Sequence, residues 1–200
     1  MSARDEILAR VREALGPVRR EVVMPARPAS PAVADVDLFV ERVADYRATV
    51  VRCGDTGAEV EQAIADAVPQ GASVVVAPGL PWHVAGAAVD DGALTAADLD
   101  AIDVVVTSAT VGITTTGTIV LSHGAGEGRR ALTLVPDMHV CVVRADQVVA
   151  DLPEAVALLD PARPTTWISG PSATSDIELD RVEGVHGPRT LHVVVVGGAR

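Results

Sequence analysis

The hydrophobic positions in the first half of the chain alternate between helical and extended spacing. Apolar residues recur at helical intervals between Asp35 and Tyr46, and the run ATVVRC that follows them is typical of a strand. The same succession repeats, with helical spacing from Glu59 to Val68 and then the continuous apolar run SVVVAPG. Strands that are apolar on both faces and are separated by helices predict an α/β fold with a mainly parallel sheet covered on both sides.

The second half of the chain is richer in predicted strands. The sequence TAAD at 95–98 resembles a helix-capping box, and the strand-like run DVVVT follows it. One further helix is predicted between Leu152 and Leu159. Five more apolar runs predict strands, namely TIVLS, ALTLV, HVCVV, TTWIS and LHVVVVG.

The first 34 residues have a different pattern from the rest. Helical spacing and a capping serine predict a helix from Ser2 to about Leu15, and the Pro- and Ala-rich segment 24–33 is typical of an extended linker. This divides the chain into a helix with a linker over 1–34 and a single domain over 35–200. Whether the helix is an arm that packs on another surface or a mobile tail stays open at this level.

Composition narrows the classes of function. A chain of 200 residues with 48% hydrophobic and only 2% aromatic residues can bury one core built from Val, Ala, Leu and Ile. The net charge of −11 argues against a nucleic-acid partner. All 16 basic residues are arginine, and the absence of lysine excludes both Schiff-base chemistry and a Walker-type phosphate loop.

Cysteine, histidine and hydropathy set further limits. Two cysteines in strand-like runs predict free core thiols and cannot supply the four thiolates of an ordinary iron–sulfur cluster, so we expect this chain to bind no cofactor of that kind. The five histidines show no metal-ligand spacing, which predicts no metal site. The longest apolar run is far too short to span a membrane, and the charged N-terminus does not resemble a signal peptide, so we expect a cytoplasmic protein.

The segment TTTGTIVLSHGAG, residues 114–126, joins two turns through an apolar run. The turn residues Thr116, Gly117 and Thr118 have two interpretations: they shape the entry to a buried strand, or their hydroxyl and amide groups bind a small anion. The glycine-rich loop that contains Gly124 is followed by Arg129, whose guanidinium suits a carboxylate or phosphate. A solvated hairpin tip is the alternative there. Arg129 also occupies the place of the last glycine in a GxGxxG motif, which argues against a Rossmann site.

A third polar segment, GPSATSDIE at 170–178, combines a Gly-Pro turn with hydroxyls and carboxylates. If its Asp176 meets His186 of the later VHGP turn, the two form an acid/base pair. The alternative is that these residues cap turns and bond to the backbone. In an open α/β sheet ligands bind beyond the carboxyl ends of the strands, and polar loops follow several of the predicted strands. The candidate catalytic residues are therefore Asp176 and His186, and the candidate ligand-binding residues are Thr116, Gly117, Thr118, Gly124, Arg129, Ser172 and Thr174.

Three segments in this order, TTTGTIVLSHGAGEGRRALTLVPDMHVCVV, SGPSATSDIE and GVHGPRTLHVVVV, resemble the LUD-domain family, and within it the lactate-utilisation protein C branch. The resemblance covers roughly residues 35–197. Family members usually read ETGT and PSRTADIE, whereas this chain has Thr115 in place of the glutamate and Ala173 in place of the arginine.

The resemblance implies a NagB/RpiA/CoA-transferase-like α/β sandwich. It also implies a role in oxidising L-lactate to pyruvate beside two iron–sulfur partners, which are LutA-like and LutB-like proteins. A possible homo-oligomer and a small anionic ligand fit the same expectation. The alternative function is a stand-alone isomerase or acyl- or CoA-transferase-like enzyme that acts on a small anionic metabolite.

Overall fold

The structure is a computed structural model that describes residues 2–16, 32–171, 173–174, 182–183 and 187–198. The described residues include helices at each of the four places where helical spacing predicts one, and a short additional helix after the TAAD capping box. The helices are α1 (Ala3–Leu15), α2 (Val36–Asp45), α3 (Gly57–Ala67), α4 (Ala96–Asp100) and α5 (Leu152–Leu158).

Twelve strands lie within the described ranges. They are β1 (Thr49–Cys53), β2 (Val74–Val76), β3 (Ala88–Val89), β4 (Val104–Ser108), β5 (Val111–Ile113), β6 (Thr118–Leu121), β7 (Met138–Arg144), β8 (Val148–Val149), β9 (Thr166–Ile168), β10 (Ala173–Thr174), β11 (Val182–Glu183) and β12 (Thr190–Val196). The short strands β3, β5, β8, β10 and β11 were not predicted from the sequence, because none of them carries an apolar run long enough to stand out.

A six-stranded sheet forms the centre of the molecule. Its strand order is β1-β12-β7-β4-β2-β3, and every pairing in it is parallel. The central strands β4, β7 and β12 are buried over most of their length and are rich in valine, as expected for a parallel sheet that is covered on both faces. The predicted α/β class with a mainly parallel sheet is confirmed.

The two faces of this sheet are covered differently. Helix α3 packs Val60 and Ile64 against one face. Helix α2 packs Phe39 and Val43 against the other face, where Ile119 of β6 also lies. Helices therefore lie on both faces, and a second sheet shares the second face with α2.

The second sheet has the order β8-β5-β6-β9 and is mixed, since β6 is antiparallel to both of its neighbours. Ala155 of α5 packs on its outer side. The predicted strands TIVLS and TTWIS belong to this sheet. The rule that ligands bind at the carboxyl ends of parallel strands consequently does not extend to the loops that follow them.

The prediction of a strand at ALTLV is wrong. Residues Arg130–Thr133 form a 3-10 helix, in which the Thr133 hydroxyl donates to the carbonyl of Arg130 at 3.1 Å. Leu132 is fully buried with Val75 and Val105 of the main sheet. Because β2 and β7 occupy both hydrogen-bonding sides of β4, this segment does not pair with β4 and packs Leu132 on the face of the sheet.

Helix α1 starts with a capping box in which the Ser2 hydroxyl accepts from the amide of Asp5 and the Asp5 carboxylate accepts from Ser2. None of its residues is buried, and its apolar stripe is exposed. Most of the predicted linker at 24–33 lies outside the described residues. No helix in the described part of the chain has the length and apolar character needed to cross a membrane.

Candidate functional site

The direction in which successive strands are added to the main sheet reverses between β2 and β4. These strands are neighbours, but the next strand of this sheet after β2 is the edge strand β3 on one side, and the next after β4 is β7 on the other side. In open parallel sheets the connections part at such a place and leave a crevice at the carboxyl ends of the strands, where ligands bind. The crevice here lies beyond Val76 and Ser108, and we call it the switch point.

The glycine-rich loop 123–130 lies directly on the switch point. The amide of Gly126 donates to the carbonyl of Pro78 after β2, and the amide of Ser108 in β4 donates to the carbonyl of Gly126, each at 2.7 Å. Gly126 has a φ of 79°, and a Cβ atom there would lie 2.5 Å from the Ser108 hydroxyl. Only glycine allows the loop to bridge the two strands this closely.

A buried carboxylate fixes the conformation of this loop from inside. Glu127 is 5% exposed, and it accepts from the Thr110 hydroxyl at 2.5 Å, from the Ser122 amide at 2.6 Å and from the Gly124 amide at 3.3 Å. Glu127 is not among the site residues predicted from the sequence. The available signal was a single charged residue enclosed by glycines, which is also what a solvated loop tip would show.

His123 is held at the start of the loop with a φ of 55°, which is uncommon for a residue other than glycine. Its Nδ1 lies 2.8 Å from the carbonyl oxygen of Gly128, and its Nε2 lies 2.8 Å from the Thr166 hydroxyl. A carbonyl oxygen only accepts, so Nδ1 carries a proton and donates to Gly128, while Nε2 shares a hydrogen bond with the Thr166 hydroxyl. Nδ1 therefore closes the loop on itself at Gly128, and Nε2 attaches the loop to β9.

An open cavity of about 660 Å³ lies on the outer side of the loop. We call it the switch-point cavity. Its lining residues are three glycines, two prolines, one alanine, one histidine and two arginines. They are Pro78, Gly79, His123, Gly124, Ala125, Gly128, Arg129, Arg130 and Pro164.

Arg129, a candidate anion-binding residue, is engaged within the chain. Its Nε and Nη2 donate to the two carboxylate oxygens of Asp90 at 2.7 and 3.1 Å, and Nη2 also donates to the Leu94 carbonyl. These hydrogen bonds from Arg129 lower the pKa of Asp90, whose carboxylate is 2% exposed. The charge of Arg129 is thereby balanced, and binding of a ligand by this residue stays a prediction.

Two other arginines, neither with a carboxylate partner among the described residues, lie at the cavity: Arg130 lines it, and Arg163 lies beside its wall residue Gly124. Arg130 is exposed, and its guanidinium forms no hydrogen bond or ion pair with the described residues. Arg163 donates from Nη2 to the carbonyl of His123 at 3.2 Å, and its guanidinium lies beside Gly124. Neither arginine was selected from the sequence as a site residue. Arg163 lies in a loop more than thirty positions later, so only the folded chain brings it here.

The threonine turn forms a separate cluster. The Thr118 hydroxyl lies 2.7 Å from the hydroxyl of Thr116 and 2.9 Å from that of Ser169, which directly precedes the segment 170–178. The Tyr46 hydroxyl donates to the Gly117 carbonyl at 2.8 Å. The turn and the start of the 170–178 segment are thus adjacent, as the sequence interpretation requires. These hydroxyls also satisfy one another, and ligand binding by them stays a prediction.

The candidate ligand-binding residues do not form one group. Thr116, Gly117 and Thr118 lie at the start of β6, whereas Gly124 and Arg129 follow its other end at the switch point. Ser172, Asp176 and His186 lie outside the described residues. Thr174 is placed only by its backbone, in the antiparallel pair β10 and β11.

A buried polar group lies inside the main sheet, away from the cavity. The ring Nε2 of His139 lies 2.8 Å from the Thr107 hydroxyl, and burial lowers the pKa of His139 to about 4. Burial also raises the pKa of the neighbouring Cys141 thiol to about 12. Cys141 is free and buried, as predicted for a core residue, and Cys53 is free and partly buried. No group of three potential metal ligands occurs among the described residues.

The LUD domain model matches residues 80–196. Lactate utilization protein C of Deinococcus radiodurans is 45% identical over 98% of this chain and 96% of its own length. The uncharacterized protein YkgG of Escherichia coli is 35% identical over 74% of this chain and 62% of its own length. A crystal structure of a DUF162 family protein from Deinococcus radiodurans superposes with a TM-score of 0.69 at 39% identity, covering 81% of this chain and 96% of that one. The chain therefore belongs to the LUD-domain family.

Proposed function

We propose that this chain takes part in lactate utilisation, as a subunit that carries no redox centre and acts in the cytoplasm with iron–sulfur proteins that oxidise L-lactate to pyruvate. The observation that carries the proposal is the 45% identity to a lactate utilization protein C over nearly the whole length of both chains. Identity that extends through both the α1 segment and the domain supports a shared role of the whole chain.

The division of labour in this proposal follows from the chemistry of the reaction. Oxidation of lactate to pyruvate removes two electrons and two protons, so it requires an electron acceptor. The two cysteines of this chain lie on β1 and β7, with β12 between them, and cannot hold a four-thiolate cluster. In this proposal the electron carriers belong to LutA-like and LutB-like partners, as the family resemblance implies.

Growth and co-purification test this proposal together. A deletion strain of a host without a substitute gene is expected to grow poorly on L-lactate and normally on pyruvate, and the intact gene should restore growth on lactate. A tagged copy of the chain should retain iron–sulfur proteins with visible absorption during purification from lactate-grown cells. Equal growth of the deletion and parent strains on lactate would contradict the proposal.

A stand-alone isomerase or acyl-transfer enzyme is the second candidate, and the cavity at the carboxyl ends of β2 and β4 favours it. Substrate cavities of parallel α/β enzymes lie at this place. The discriminating measurement is turnover by the purified chain alone. Activity on a small anionic metabolite without any partner supports the second candidate, whereas lactate oxidation only after addition of the iron–sulfur proteins supports the first.

A further inference from the structure

We propose that the switch-point cavity binds a compact oxyanion, the carboxylate or phosphate end of a small metabolite, with Arg163 and Arg130 as its cationic partners. Arg163 lies outside the three segments through which the chain resembles its family, whereas Arg130 lies in the first of them, directly after the glycine-rich loop. The site is independent of the proposed role in lactate utilisation.

The charge distribution is the first argument. The chain has a net charge of −11, so a place with uncompensated positive charge is unusual on its surface. Arg129 is balanced by Asp90, and Glu127 lies behind the loop with its oxygens occupied by three donors. The guanidinium groups of Arg130 and Arg163 have no carboxylate partner among the described residues. A guanidinium group binds carboxylate and phosphate oxygens through two parallel hydrogen bonds.

The backbone at the cavity is the second argument. Gly79, Gly124 and Gly128 line the cavity with main-chain atoms only, so this part of its wall is backbone. A Cβ atom at Gly124 would lie 3.5 Å from Nη2 of Arg163, which places this open stretch of backbone next to the cation. The loop is held by Glu127 and His123, so little ordering of the loop is needed when a ligand binds.

The remaining walls indicate the size and type of the ligand. Two prolines and an alanine supply short apolar surfaces, and no Phe, Tyr or Trp lines the cavity among the described residues. A nucleobase therefore finds no aromatic ring on which to stack. These walls suit a metabolite with a short carbon chain, whose anionic group would bind at the arginines.

Isothermal titration of the purified full-length chain tests the site. The probes are pyruvate, L-lactate and inorganic phosphate, with lactamide as a neutral control of nearly the same shape as lactate. At least one anion should bind saturably, and lactamide should not. Arg163→Gln and Arg130→Gln should each raise the Kd for that anion about tenfold, because each removes a charge-assisted hydrogen bond.

Arg10→Gln is the matched control. It makes the same change in net charge on the exposed helix α1, and the Kd should stay at the parental value. Thermal melting of all three variants checks that they are folded. Pyruvate or lactate binding identifies a carboxylate ligand, and binding of phosphate alone identifies a phosphate ligand.

The proposal is overturned if none of the three anions binds to the folded parent, or if binding persists unchanged in both cavity variants. Growth on lactate is a separate measurement, so failure of the anion site and failure of the lactate role can be distinguished. A chain that binds no anion but restores growth on lactate would retain the proposed function and lose this site.

Discussion

Glu127 shows how one side chain fixes the geometry of a loop that would otherwise be free to move. Its carboxylate lies below the loop and receives two backbone amides and one hydroxyl, so the loop is anchored on its inner side while its outer side faces the cavity. A buried amide that loses its partner costs about 1–3 kcal/mol, which makes the carboxylate important for stability as well as for the shape of the cavity.

Glu127→Ala is therefore expected to lower the free energy of unfolding by at least about 2 kcal/mol, because the amides of Ser122 and Gly124 lose their shared acceptor. Glu127→Gln keeps one acceptor oxygen and should lose less than half as much. Urea denaturation of both variants measures the difference. Equal losses in the two variants would show that the carboxylate does not act through these hydrogen bonds.

His139 supplies a pH dependence of stability. Its pKa is about 4 in the folded chain, against 6.5 for an unperturbed histidine, because burial disfavours the charged ring. Between these values the unfolded chain binds more protons than the native one, so the free energy of unfolding should fall as the pH decreases from 6.5 toward 4. The contribution is complete above pH 6.5, and its loss amounts to a few kcal/mol at most.

The histidine variant His139→Gln isolates this contribution. Glutamine can still bond to the Thr107 hydroxyl but does not titrate, so the fall in stability between neutral pH and about pH 5 should become smaller. His83→Gln at an exposed position is the matched control and should keep the parental slope. Partial burial also lowers the pKa of His192, so some slope should remain. An unchanged slope in His139→Gln would contradict the assignment.

At the scale of elements, the packing of α2 depends on the turn before β6. Gly117 has a φ of 66°, and a Cβ atom there would lie 2.8 Å from the backbone carbonyl carbon of Arg42 in α2. The Tyr46 hydroxyl at the end of the helix donates to the Gly117 carbonyl. The Thr-Thr-Gly-Thr turn thus forms a packing surface for α2.

The contact between Gly117 and α2 is tested by comparing the loss of stability in Gly117→Ala with that in Gly71→Ala. Both glycines have positive φ, but a Cβ atom at Gly71 meets no atom within 4 Å. Gly71→Ala should therefore cost only the backbone strain of about 1–2 kcal/mol, whereas Gly117→Ala should cost at least about 1 kcal/mol more because α2 must shift. Thermal unfolding compares the two variants. Equal costs would show that the contact with α2 is not tight.

At the scale of the whole molecule, α1 buries none of its residues and so adds no packing to the hydrophobic core. The helix has four exposed apolar side chains, Ile7, Leu8, Val11 and Leu15, and none of its residues is buried. Its stability as a helix rests on its own capping box and on the i,i+4 pair between Glu6 and Arg10. Such local terms stabilise an isolated helix only weakly.

A chain without residues 1–16 is expected to unfold with the parental free energy within about 0.5 kcal/mol, because no buried contact of the domain is removed. The same shortened chain should also keep its affinity for an anion at the switch-point cavity. Denaturation and titration of the shortened and full chains provide the comparison. A clear loss of stability would place α1 against the domain in solution.

The extent to which the sequence predicts the site varies among its parts. The loop 124–128 and Arg129 were evident, because a run of glycines next to arginine is a local signal. Asp90, which balances Arg129, and Arg163, which supplies a cation, lie 39 and 40 positions from their partners in the loop. No local pattern links such residues, so their roles follow only from the strand order that brings them together.

What the sequence determined by itself is the local structure. Periodic apolar spacing and capping residues placed α1, α2, α3, α5 and the long strands correctly, because helix and strand formation depend on neighbours within a few positions. Tertiary structure decided the rest. ALTLV has the composition of a strand but contributes to a 3-10 helix, in which Leu132 packs on Val75 and Val105 of the main sheet. The division into two sheets, and with it the position of the switch-point cavity, depends on hydrogen bonds between distant strands, which local spacing does not encode.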